Sequence, residues 1–173
     1  MDRQQLEHII RAAAGITNQY EFVIIGSQSI LGEYPNAPEE LRQSMEADVY
    51  PLASPVLADL IDGSIGECSP FHETFGYYAQ GVGEETAVLP EGWKERLVKV
   101  QNTNTDMKIG YCLEAHDLAA SKLAAGREKD FQFVKAMLEN NLANIQVLKT
   151  RIETLPISET QQKRIKSWIT AQA

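Results

Sequence analysis

Leu6, Ile9 and Ile10 recur at helical spacing near the start of the chain, so residues 3–14 predict a short amphipathic helix that Gly15 can end. The pattern then changes to a compact run, "EFVII" at 21–25, whose β-branched and aromatic residues favour a strand. Ser27 or Ser29 can open a helix through "QSILGEY", and "YPNAP" breaks it. "PEELRQSM" predicts a short helix or helical turn with Pro38 near its start, and "ADVYPL" a second strand. In "SPVLADLIDG", Ser54 is placed to cap a helix and Pro55 to occupy its first turn. "GYYAQG", "RLVKVQ" and "MKIGYCLE" are further strand candidates. From His116 onward the periodicity is helical throughout, in four segments near 117–125, 128–140, 142–154 and 158–171, the last opened by a Ser158–Gln161 capping box.

These elements predict an α+β fold: a small mixed sheet backed by helices over residues 1–115, with an all-helical C-terminal subdomain, 116–173, packed on it. "EFVII" and "ADVYPL" are expected to be neighbouring strands. There is no internal repeat and no low-complexity tract.

Composition narrows the class of function. With 173 residues, 43% hydrophobic and 23% charged, the chain has material for one compact core. No stretch is long and apolar enough to span a bilayer, and the mixed-charge N-terminus does not read as a secretory signal. Cys68 and Cys112 have no metal-ligand spacing, and a reducing, cytoplasmic setting fits them better than a disulfide. The net charge of −8 opposes broad nucleic-acid binding and leaves room for a local basic patch.

Two short patterns carry candidate chemistry. A strand ending in Gly26-Ser27 and entering a helix aims backbone N–H groups at one point, where a phosphate can approach closely. Alone, the same pattern is an ordinary strand-to-helix turn. Glu46 and Asp48 lie two apart in a predicted strand, so both project from one face. Like charges repel unless a cation lies between them, and Mg²⁺ takes hard oxygen ligands of this kind. The plainer alternative is a solvated strand face with Ala47 and Val49 packed inward.

Together, strand, Gly-Ser, helix and acid-x-acid strand resemble the nucleotidyltransferase superfamily with the DNA polymerase β-like palm. The resemblance implies that Gly26 and Ser27 help to hold a nucleoside triphosphate and that Glu46 and Asp48 bind Mg²⁺ or Mn²⁺. It also implies in-line attack by a hydroxyl on the α-phosphorus, with pyrophosphate leaving. A second segment, "HDLAASKLAAGREKDFQFVKAML", resembles the C-terminal motif of bacterial nucleotidyltransferase-like proteins related to abortive-infection (AbiE-type) toxins. The functional Lys, Arg and Asp of that motif fall on Lys122, Arg127 and Asp130, and the likeness extends through "LPEGWKERLVKV", covering roughly residues 20–140 in all. It implies catalytic roles for Glu46, Asp48, Lys122 and Asp130, and substrate contacts from Gly26, Ser27, Lys122 and Arg127. A toxin–antitoxin or defence role with a protein partner follows from the same likeness.

The residues themselves add detail. Lys122 has Leu118, Ala119, Ala125 and Gly126 as helical neighbours and no carboxylate among them, which favours a side chain crossing a small-residue face over a solvated surface lysine. Asp130 reads as a buried acid paired with Arg127 or orienting Lys122, or as a plain surface pair. The chain departs from the family in having Glu46 where many active members have Asp, a long stretch between Gly-Ser and the acids, and Phe133 where a further Asp often stands. A third carboxylate is not evident, with Asp62, Glu67, Glu73 and Asp106 as candidates. His72 and His116 read as core or surface residues, Ser27 lacks a hydrolase triad, and the "FGYYAQG" aromatics read as core or strand surface. The expected function is Mg²⁺-dependent nucleotidyl transfer from a nucleoside triphosphate to an RNA, a protein hydroxyl or a small molecule. The rival is a catalytically degenerate module that senses a nucleotide or binds a partner.

Overall fold

A computed structural model describes residues 1–173. Helix α1 (Arg3–Thr17) opens with a reciprocal cap: Asp2 accepts from the Gln5 amide, and the Gln5 side chain accepts from the Asp2 amide, both at 2.8 Å. It runs past Gly15, contrary to expectation. Thr17 continues the buried face and donates to the Ala13 carbonyl at 2.7 Å, and Asn18, at φ 52°, ends the helix instead.

Strands β1 (Glu21–Ile25), β2 (Glu46–Pro51), β3 (Tyr78–Gly81), β4 (Val98–Val100) and β5 (Ile109–Cys112) form one mixed sheet in the order β3-β2-β1-β5-β4. As expected, "EFVII" and "ADVYPL" are neighbours, and they pair antiparallel with Ile25 opposite Asp48. β1 also pairs parallel with β5, β2 parallel with β3, and β4 antiparallel with β5. β1 sits at the centre with Phe22 to Ile25 fully buried, which is why its sequence is apolar on both faces. Burying each such side chain contributes about 1.5–3 kcal/mol.

Between the strands, "QSILGEY" is a 3₁₀ turn at Ser27–Ser29 followed by the short α2 (Ile30–Glu33). "PEELRQSM" holds only a 3₁₀ turn at Glu39–Leu41. Ser54 makes no capping bond; Pro55 opens a 3₁₀ turn that leads into α3 (Ala58–Ile65). A further helix, α4 (Pro70–Phe75), is capped by Ser69 accepting from the His72 amide at 3.2 Å.

The four C-terminal helices are α5 (Ala115–Ala125), α6 (Glu128–Glu139), α7 (Ile145–Glu153) and α8 (Glu159–Thr170). Glu114 caps α5, Asn144 sets the start of α7, and Ser158 with Gln161 forms the expected box on α8. A single apolar core runs from Leu6 and Ile24 to Leu148 and Ile169. α1 and α3 lie on the sheet face of Ile24 and Val49, where the Cα of Gly110 lies against Ile10. α5 and α6 lie over the opposite face, that of Ile25 and Asp48.

A buried ionic clasp ties α5 and α7 to the strand region. Asp117, wholly buried, accepts two bonds from Arg96, Nε at 2.8 Å and Nη2 at 3.0 Å. Arg151 of α7 brings its Nε within 3.0 Å of the same carboxylate, close enough for charge attraction but not aimed as a hydrogen bond. His116 bonds Glu114 through Nδ1 and accepts from the Asn144 amide at Nε2, 2.9 Å, so the Nδ1 nitrogen carries the proton. His116 is thus part of the scaffold, as the sequence suggested.

Candidate active site

The sheet face of Ile25 and Asp48 borders a cavity of about 900 Å³. Its walls bring together Gly26, Ser27, Glu46, Asp48, Lys122, Arg127 and Asp130, the seven residues to which the family resemblance assigns a role. They come from three places: the turn after β1, strand β2, and the junction of α5 with α6.

Gly26 has φ 72° and lies so close to Asp48 that a Cβ there would overlap the Asp48 carboxylate. A left-handed turn and a close approach both demand glycine at this position. Asp48 faces Gln80 of β3 across the parallel pair, while Glu46 faces Tyr78, so these four side chains share one sheet face. Tyr78 Oη donates to Glu46 Oε2 at 2.9 Å. Asp48 Oδ1 is buried with no hydrogen-bond partner. Burial, then hydrogen bonding to Glu46 and its repulsion, pushes the Asp48 carboxyl up to about 7, against a smaller pull from Lys122 and Arg127. Burial and the Glu46 carboxylate likewise hold the Tyr78 phenol up at about 12, so it stays a donor.

On the facing helices, Lys122 is largely buried and donates to Ser27 Oγ at 2.6 Å. Its ammonium lies 3.4 Å from Asp130 Oδ1 and 4.8 Å from the centre of the Phe133 ring. Phe133 therefore supplies a cation–π contact to the lysine where a second acid would have stood. Burial lowers the Lys122 pKa, against the opposing effect of Asp130. Asp130, wholly buried, takes a fork from Arg127, Nε at 2.7 Å and Nη2 at 3.1 Å. Burial alone would raise its pKa, but the Arg127 bonds and the Lys122 charge outweigh it and the net shift is downward. Asp130 is thus a buried acid bonded to Arg127 and in contact with Lys122, not a surface pair.

None of the third-carboxylate candidates, Asp62, Glu67, Glu73 or Asp106, lines the cavity. The position beside Asp48 is the amide Gln80, and no cluster of three acidic, histidine or cysteine ligands exists. Two carboxylates, one of them with an unpartnered buried oxygen, still suit a hard cation that draws its remaining ligands from water and phosphate, which is how Mg²⁺ is commonly held. Sequence reasoning missed Tyr78 and Gln80, because only the β2–β3 register sets them beside the acids. Cys68 and Cys112 are both free, the first exposed and the second buried. No helix is long and apolar enough to cross a membrane.

Paired carboxylates on β2, next to the central strand, a glycine–serine turn beside them and a lysine–arginine–aspartate group facing them define a nucleotidyltransferase-like α+β protein. The chain belongs to the family described as "Nucleotidyltransferase of unknown function (DUF6036)", which matches residues 4–171. No curated protein and no solved structure matches it significantly.

Proposed function

We propose that the cavity binds a nucleoside triphosphate together with Mg²⁺ or Mn²⁺ and transfers its nucleotidyl group to a hydroxyl acceptor. The observation that carries this reading is the meeting of Glu46, Asp48, Ser27 and Lys122 on one cavity wall system. Glu46 and Asp48 would hold the cation, which supplies charge neutralisation at the phosphates. Ser27, the Gly26 backbone, Lys122 and Arg127 would bind the triphosphate tail. Arg127 is more than half exposed while its guanidinium holds Asp130 by two bonds, and Lys122 is held in place by Ser27 and Asp130. In the reaction the acceptor hydroxyl releases its proton to water, its oxygen bonds to the α-phosphorus, the bond from the α-phosphorus to the α–β bridging oxygen breaks, and pyrophosphate carries away that electron pair.

A second reading has its own support: Gln80 stands where a third acid would complete the set, which favours a nucleotide-binding module without transfer activity. The likeness of residues 116–138 to AbiE-type toxins adds a defence role, toxin–antitoxin in kind, in which a protein partner acts with either version of the site. Incubation with each labelled triphosphate, with and without Mg²⁺ and with a cell extract, separates the readings. Label transferred to RNA, protein or a small molecule supports the enzyme. Tight triphosphate binding with no transfer supports the module, and absence of binding overturns both.

A further inference from the structure

We infer that Tyr78 is a positioning residue for Glu46 and, through it, for the cation of the proposed site. This inference rests on the metal-binding reading of Glu46 and Asp48. A glutamate has one more rotatable bond than an aspartate, so a glutamate at a metal-binding position needs something to hold its carboxylate still. Tyr78 supplies it. The β2–β3 register sets Tyr78 beside Glu46 on the same face, and its phenol donates to Glu46 Oε2 at 2.9 Å.

The phenol is itself held. The His72 ring lies against the Tyr78 ring with centroids 4.5 Å apart, and His72 is fixed in turn by the Cys68 amide, which donates to Nδ1 at 3.0 Å. A chain of contacts thus runs from the turn before α4 to Glu46. Tyr78 does not line the cavity, so its influence on a ligand passes through Glu46. One carboxylate oxygen is occupied by the phenol, and the other is left to face the cation. The tyrosine makes good, at this site, the extra reach and freedom of Glu46.

The test is Mn²⁺ binding in the presence of a non-hydrolysable triphosphate analogue, measured by calorimetry and by the Mn²⁺ paramagnetic resonance line shape, on the full chain. Tyr78→Phe keeps the ring against His72 and removes only the donor. It is expected to weaken Mn²⁺ about tenfold, the effect of one hydrogen bond to a charged group, and to alter the line shape. In a Glu46→Asp background the shorter side chain falls short of the phenol, so the same Tyr78→Phe change should have no further effect on affinity. Equal Mn²⁺ affinity in wild type and Tyr78→Phe overturns the inference while leaving the site intact. So does an equal loss in both backgrounds, which marks a structural role. If the wild type binds no Mn²⁺ with the analogue, the metal-site reading falls and this inference falls with it.

Discussion

Gly26 shows how tightly the candidate site is packed at the level of single residues. A methyl group there would need a left-handed backbone and would collide with the Asp48 carboxylate. Gly26→Ala is therefore expected to displace Asp48 and cost stability of about 1–3 kcal/mol. The check is calorimetry with Mn²⁺ and a triphosphate, in which binding should be lost at a temperature where the variant is still folded. Lys122 invites a second test. If it meets a triphosphate, Lys122→Ala removes one charge-assisted contact, about 1.5–3 kcal/mol, or roughly a tenfold to hundredfold loss of affinity. Because Arg127 still holds Asp130 through two bonds, the thermal midpoint should change little. An unchanged dissociation constant with a lowered midpoint would make Lys122 a structural residue and favour the binding module.

Among the elements, those whose identity is local were legible in the sequence, and those set by distant partners were not. "EFVII" and "ADVYPL" announced themselves through composition, and Ser158–Gln161 through its capping chemistry. Spacing two apart on a strand put Glu46 and Asp48 on one face, but Lys122, Arg127 and Asp130 were picked out through the resemblance to the AbiE-type motif, not through spacing alone. The parallel pairing of β2 with β3 depends on a crossover through α3 and α4, so nothing near Tyr78 or Gln80 signalled that they would stand beside the acids. The Arg96–Asp117–Arg151 clasp escaped for the same reason, its members lying on three elements far apart in sequence. That clasp yields an expectation at its own scale. Removing one partner of a buried ion pair typically costs about 3–5 kcal/mol, and the partial exposure of both arginines puts Asp117→Ala toward the lower end. Urea unfolding should register the loss as a lower midpoint, and an unchanged midpoint would mean that apolar packing alone joins α7 to α5.

For the whole molecule, the candidate site and folding stability are linked through Asp48. Its carboxyl is raised from 3.8 to about 7 by burial and by Glu46, so the folded chain keeps a proton that the unfolded chain has already released. Between about pH 4 and pH 7 the folded state therefore binds more protons, and stability falls as pH rises through that window. Above it the full penalty of a buried, ionised Asp48 is present, at most about 4 kcal/mol at 1.36 kcal/mol per pH unit. Asp48→Asn removes the ionisation while keeping the shape. It should raise the thermal midpoint relative to wild type at pH 8, and the two should converge toward pH 4. A shift of about 2–4 °C per kcal/mol applies to a chain of this size, so the separation is measurable. Mg²⁺ with a triphosphate should narrow the gap at pH 8, because a ligand that binds the ionised carboxylate stabilises the wild type and not the variant. A midpoint difference that stays constant from pH 4 to pH 8 would mean that Asp48 is not carrying the buried charge, and its fitness to hold a cation would fall with that result.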